Sequence, residues 1–165
     1  MRLQLIPLDE ENLNRLEHNA AANMAVGSDD SREFHHMIVT VLQETRAFLE
    51  TATAQAPWIS YLGMDFASGG LIGNCSFKGN PNEEGEVEIA VVTFPHFENR
   101  GYGSEMARQL IEIATAEAAA RRISAVSVAG PNAASRMMEK HGFQHVDTYH
   151  DESHGDLWEW SRDCA

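Results

Sequence analysis

A chain of 165 residues, 43% hydrophobic and 22% charged, is long enough for one domain with its own core, here residues 1–165. Its formal charge of −13, from 12 Lys and Arg against 25 Asp and Glu, argues against nucleic acid and anionic membrane as partners, because both call for a basic surface. Two cysteines, Cys75 and Cys164, are too few for a disulfide framework, and neither a signal peptide nor an apolar run of ~20 residues is present, so a cytoplasmic protein is expected.

Arg2 to Leu8 alternates as a short strand that Pro7 brings to its end, and Asp9 opens a helix through Leu13 and Leu16 with acidic residues in its first turn. Gly27 to Asp30 reads as a loop. Phe34, Met37, Ile38, Val41, Leu42, Thr45, Phe48 and Leu49 then fall at helical spacing, with Asp30 and Glu33 placed to cap the start.

From Trp58 the period becomes that of strands. WISYLGM, LIGNCSF and EVEIAVVTF, separated by turns at Ala67–Gly70 and Gly79–Gly85, predict an antiparallel meander. Met106, Ala107, Leu110, Ile111, Ala114 and Ala118 make an amphipathic helix, with Arg121 and Arg122 where a helix C-terminus favours positive charge. SAVSVAG is a short buried strand. Asn132 caps a helix AASRMMEK stopped by Gly142, and FQHVDTYH with GDLWEWS forms a closing hairpin. The order βαα-βββ-α-β-α-ββ defines one α+β domain without repeats or linkers.

The junction Phe97 to Met106, FENRGYGSEM, stands between a strand and a helix. A helix N-terminus exposes unpaired N–H groups, and glycine permits both close backbone approach and positive φ, so Gly101 and Gly103 could turn donors toward a pyrophosphate, with Arg100 adding charge. A plain tight turn fits the same residues. The pattern is neither a Walker loop nor the dinucleotide fingerprint, since Met106 fills the third glycine's place.

Ile72-Gly73 to Phe77, Val87-Glu88-Ile89, the run from Pro95 to Glu105, Asn132 with Ser135, and Glu139-Lys140-His141-Gly142-Phe143 occur in one order along the chain. In these five segments the sequence resembles the GNAT N-acetyltransferases, most closely their RimJ/RimL-like branch that acetylates ribosomal proteins. The resemblance implies a GNAT fold: a mixed, mostly antiparallel sheet of about seven strands, splayed in the middle and flanked by about four helices. It also implies that Glu98, Asn99, Arg100, Gly101, Tyr102, Gly103 and Ser104 bind the pyrophosphate of acetyl-CoA, that Val91, Val92 and Thr93 pair with the pantetheine arm, and that Asn132 touches that arm or the acetyl end. The strands holding Val91 and Ser127 are expected to part and admit the thioester. Two departures from the branch stand out. Glu98 replaces its usual Gln or Arg, and the segment from Asn132 to Gly142 lacks the tyrosine that protonates the leaving thiolate in many members, with Met138 or Glu139 in the matching place.

Acetylating an amine requires its free base, and a carboxylate acting through water can remove the proton. Period two puts Glu86, Glu88, Ala90 and Val92 on one strand face and Val87, Ile89 and Val91 on the other, which makes Glu88 the candidate base. A backbone N–H at the parted strands would hold the oxyanion. Ser135 either protonates the thiolate or caps its helix, while Tyr102 packs under the loop. His141, His145, His150 and His154 are not expected to gather around a metal, and Trp158 and Trp160 share a face suited to core or dimer packing. The expected protein is a metal-free, acetyl-CoA-dependent N-acetyltransferase, monomeric or homodimeric, working by direct attack in a ternary complex. Its acceptor would be a protein N-terminus or a small polyamine- or aminoglycoside-like amine. The rivals are a non-catalytic acyl-CoA-binding module and, more weakly, a nucleotide-binding protein.

Overall fold

The period-two segments become strands of one sheet and the period-3.6 segments become helices. The structure is a computed structural model that describes residues 1–23, 29–51 and 53–165. Its elements are β1 (Leu3–Pro7), α1 (Glu10–Asn23), α2 (Asp29–Thr51), β2 (Ser60–Asp65), β3 (Leu71–Phe77), β4 (Glu86–Thr93), a short 3-10 turn (Pro95–Phe97), α3 (Tyr102–Ala116), β5 (Arg122–Val128), α4 (Ala133–Lys140), β6 (Gln144–Asp151) and β7 (Gly155–Asp163). The element order is the one read from the sequence.

The strands lie in the order β1-β2-β3-β4-β5-β7-β6. Only β4 and β5 run parallel, which requires a crossover between them, and α3 supplies it. Alternation along the strands divides the apolar residues between two cores. Val87, Ile89, Ile123 and Trp160 pack with Met106, Leu110 and Met138 of α3 and α4. On the other side Leu62 packs with Leu8, Leu13, Ile38, Leu42 and Phe94, under α1 and α2. Trp160, almost wholly buried, has its indole N–H satisfied by Ser127 Oγ at 2.9 Å.

Some boundaries differ from the sequence reading. The alanine-rich helix ends at Ala116, so Arg121 and Arg122 do not sit in its last turn. Both instead donate their N–H groups to Gly85 O, at 2.7 and 3.1 Å, and Arg122 opens β5. A tertiary acceptor here overrides the helical propensity of the alanines. Trp58 and Ile59 precede β2 in a turn, although both are buried. Helix α2 already contains Asp29 and Asp30, which corrects the loop reading there, and residues 24–28 lie outside the described ones.

One polar contact ties the edge strand to the start of α3. Glu105 Oε1 accepts the N–H groups of Arg2 (2.6 Å) and Leu3 (3.2 Å), while Oε2 meets the Arg2 guanidinium at 3.4 Å. Burial pushes this carboxyl up, but the Arg2 and Leu3 N–H bonds and the Arg2 side chain together outweigh it and hold the group below its ordinary 4.5. A depressed carboxylate contributes stability above that ordinary value and loses it as pH falls through the folded one. Glu105→Gln is therefore expected to cost about 1–3 kcal/mol in urea unfolding at neutral pH, with the deficit shrinking toward acid pH.

Candidate active site

Strands β4 and β5 pair over three rungs only, Glu86 with Arg122, Val87 with Ile123 and Glu88 with Ser124. Beyond them β4 stays paired to β3 as far as Thr93, and β5 stays paired to β7 as far as Val128, so the two strands part and leave a slot. Backbone groups alternate in direction along a strand. Lys78 N donates to Glu88 O (2.9 Å) and Phe94 N donates to Ile72 O (2.9 Å), so residues 88 and 94 turn toward β3. The backbone groups of Ile89, Val91 and Thr93 accordingly face the slot.

The loop after β4 then turns sharply. Asn99 has φ 59° and Gly101 φ 82°, both in the left-handed region, and Gly101 stands at the N-terminus of α3 without a side-chain cap. Glu105 N is the first in the helix to find a helical acceptor, Gly101 O at 3.1 Å. The N–H groups of Tyr102, Gly103 and Ser104 have no such acceptor and form the positive end of the helix dipole. Gly103 and Ser104 line a cleft of about 490 Å³ together with Val91, Val92, Thr93, Glu98, Asn99, Gly101 and, from α4, Ala133, Ala134 and Met137.

The structure thus brings together eight of the residues singled out in the sequence for the coenzyme, and it directs the others elsewhere. Arg100 lies over the Phe97 ring, 5.9 Å from its centroid, and its carbonyl accepts from Arg2 Nη2 at 2.9 Å. The Tyr102 side chain packs with its hydroxyl on Asp65 Oδ1 (3.2 Å), Arg2 over its ring and Phe97 at its edge. Asn132 and Ser135 form a capping box at the start of α4. Asn132 Oδ1 accepts from Ser135 N at 2.9 Å, and Ser135 Oγ accepts from Asn132 N (2.8 Å) and donates to Asn132 O (3.0 Å). Ser135 is 2% exposed, and of its two sequence-derived roles capping is the one its hydroxyl fills. Met138 is buried in the core and Glu139 is exposed, so neither lines the cleft.

Glu88 occupies the last paired rung before the strands part, on the face opposite Val87 and Ile89. Its Oε1 lies 3.2 Å from Lys78 Nζ, a partly exposed pair of small energetic weight. Glu98 sits exposed at the cleft mouth. The four C-terminal histidines go four ways: His141 to Ser104 Oγ (2.8 Å), His145 onto the Trp158 ring (4.5 Å between centroids), His150 to Asp156 (2.9 Å) and His154 to Asp151 (2.8 Å). Sequence reasoning missed Ala133, Ala134, Met137 and the contact of His141. The two alanines after the capping asparagine were a signal, since small residues leave room at a helix start, whereas nothing local marks His141.

A slot beside an uncapped helix start defines a class of protein. A family model described as acetyltransferase (GNAT) domain matches residues 2–144, and the chain belongs to that family. It is thereby an N-acetyltransferase of a family that uses acetyl-CoA. Similar solved structures include a spermidine N-acetyltransferase SpeG chimera from Vibrio cholerae and hSSAT (14% identity, 99% of this chain and 96% of that one covered, TM-score 0.69). They also include the ribosomal L7/L12 alpha-N-protein acetyltransferase RimL in complex with coenzyme A (14%, 99% and 94%, TM-score 0.67). A GNAT-family acetyltransferase from Bacillus anthracis is similar at 16% identity, 99% and 96% coverage and TM-score 0.63. At such identities the likeness establishes the fold. No curated protein sequence matches the chain significantly. No helix among the described residues is long and apolar enough to cross a membrane.

The cleft depends on one close approach. A Cβ on Gly103 would stand 2.9 Å from Thr93 Oγ1. Gly103→Ala should destabilise the fold by ~1–3 kcal/mol in denaturant unfolding, and Thr93→Ala added to it should recover part of the loss. Simply additive losses would show that the two positions do not press on each other.

Proposed function

We propose that this cleft binds acetyl-CoA and that the chain acetylates a primary amine by direct attack within a ternary complex. The observation that carries the reading is the junction of two features in one cavity: free helix-start N–H groups at Gly101–Ser104 and the strand edge at Val91–Thr93. The pyrophosphate sits on the N–H groups of Tyr102, Gly103 and Ser104, and the pantetheine amides add to β4 as a strand would, through Val91 and Thr93. Glu98, exposed at the mouth, keeps its carboxylate in water, so the backbone donors still prevail.

The thioester then lies between the parted strands, and a slot-facing N–H of β4 holds the oxyanion. Glu88, at the base of the parting, takes the ammonium proton through a water as the amine attacks. The leaving group is a thiolate, a much better leaving group than an alkoxide, so it can depart and collect its proton from solvent without a dedicated acid. That suits a site in which Ser135 is committed to its cap and no tyrosine side chain among the described residues lines the cleft.

The acceptor is a small cationic amine, favoured by the −13 charge and matching the spermidine enzymes among the structural neighbours. A protein N-terminus, the kind of substrate that the similar RimL acetylates, is the second reading. A non-catalytic acyl-CoA binder would share the cleft and release no thiol.

Acetyl-CoA, and not ATP, should raise the melting temperature, and a thiol-release assay across polyamines, aminoglycosides and N-terminal peptides should show turnover with at least one of them. Stabilisation without turnover on any amine would favour the binding module. Glu88→Gln should leave acetyl-CoA affinity intact and lower turnover by ~10²–10⁴, most at low pH where the amine is most protonated. Unchanged turnover would remove Glu88 as the base.

A further inference from the structure

The cleft lies between two helices, and among the described residues one side-chain hydrogen bond joins them. It runs from Ser104 Oγ in the first turn of α3 to His141 Nε2 at the end of α4, 2.8 Å long. His141 is itself fixed from behind, because its carbonyl accepts from Arg162 Nη1 of β7. Gly101 and Ser104 line the coenzyme cleft on one side, and on the other they line a second depression with Met1, Arg2, Arg108 and His141. Ser104 therefore stands at the wall between a phosphate site and a cationic surround.

A phosphate demands donors. Within its bond to His141 Nε2, the Ser104 hydroxyl keeps its proton free for an anion only when that nitrogen is the donor and the Ser104 oxygen accepts. We propose that His141 is a positioning residue for the coenzyme: its Nε2–H donates to Ser104 Oγ, turns the Ser104 proton toward the phosphate, and couples coenzyme affinity to protonation of the imidazole. This rests on the acetyl-CoA reading of the cleft.

The groups around the ring set the direction of that coupling. Lys140 is its neighbour on α4, Arg162 faces it from β7, Arg108 and Glu105 from α3, and the Met1 amino group and Arg2 from the start of the chain. Burial, then Lys140, Arg162 and Arg108, hold the free imidazole below its ordinary 6.5, against the opposing bond to Ser104. A bound phosphate counters these cations and favours the imidazolium, so binding takes up a proton. Affinity rises as pH falls from mildly alkaline toward mildly acid, and it levels off once the ring is also charged in the free protein.

The test is calorimetric titration of coenzyme A into wild type, His141→Gln and His141→Ala at pH ~6 and ~8, in two buffers of different ionisation enthalpy. Titration of the coenzyme's own phosphates is common to all three proteins and cancels in the comparison. Wild type should bind ~3–10-fold more tightly at the lower pH, with net proton uptake beyond that of the variants. Gln, whose amide N–H can replace the imidazole donor, should keep the wild-type affinity at the higher pH and lose the extra pH dependence. Ala should bind ~10-fold more weakly than Gln at both and likewise lack the extra pH dependence. Equal affinities and equal pH dependence in the three proteins would overturn the role of His141 while leaving the cleft assignment standing. Equal weakening in Gln and Ala with a lowered melting temperature would mark a packing role and overturn it as well. Absence of coenzyme A binding to wild type would instead overturn the reading of the cleft, and this inference with it.

Discussion

Strands β4 and β5 stop pairing after Glu88, although each continues for several residues and remains bonded to its outer neighbour. Most of the molecule is arranged around this interruption. The outer bonds, from β3 to β4 and from β7 to β5, hold the two strands in place, so the gap cannot close by either strand drifting across. Beyond Glu88 the slot-facing edge of β4 has no strand partner among the described residues. A ligand with amide groups of its own can complete the pairing from between the strands. Helix α3, as the crossover that parallel strands require, starts just above the gap and brings its free N–H groups to the same place. One topological necessity thus supplies both halves of the cleft.

The chain's overall charge and its local charge point in opposite directions. Over the whole surface acid residues outnumber basic ones by two to one, which suits a cationic acceptor. Behind the turn before α3 the balance reverses, with Arg2, Arg108, Lys140 and His141 around a single carboxylate, that of Glu105. That carboxylate is already occupied by the first residues of β1. A basic neighbourhood thus stands beside the start of α3 even though the protein as a whole is strongly acidic.

What the sequence made legible is what local chemistry decides. Strand alternation, hairpin turns and the helical stripe of Met106, Leu110 and Ala114 gave the elements and their order, and the glycines of FENRGYGSEM gave the turn. What it hid depends on partners distant along the chain. Helix α3 stops at Ala116 because Gly85 O draws in the backbone of Arg121, thirty-six residues further on (121 − 85), and no helix propensity registers that contact. Arg100 looked like added charge for the phosphate, yet the ring of Phe97 draws its guanidinium away. Ser135 was ambiguous because a hydroxyl at the third position of a helix suits both a cap and an acid, and the geometry commits it to the cap. His141 needed the fold itself to meet Ser104.

The left-handed turns at Asn99 and Gly101 carry one more consequence, for how such a site is inherited. A grip built from main-chain atoms is transmitted as a path of the chain. Any set of side chains that keeps the dihedral angles and leaves Gly103 bare keeps the grip. Mutation can then replace the residues around it, even placing an acid such as Glu98 at its mouth, and the lineage can drift until its sequences hardly align while the cavity persists. Such a cavity is written in the path of the backbone, and it outlasts the particular letters that first spelled it.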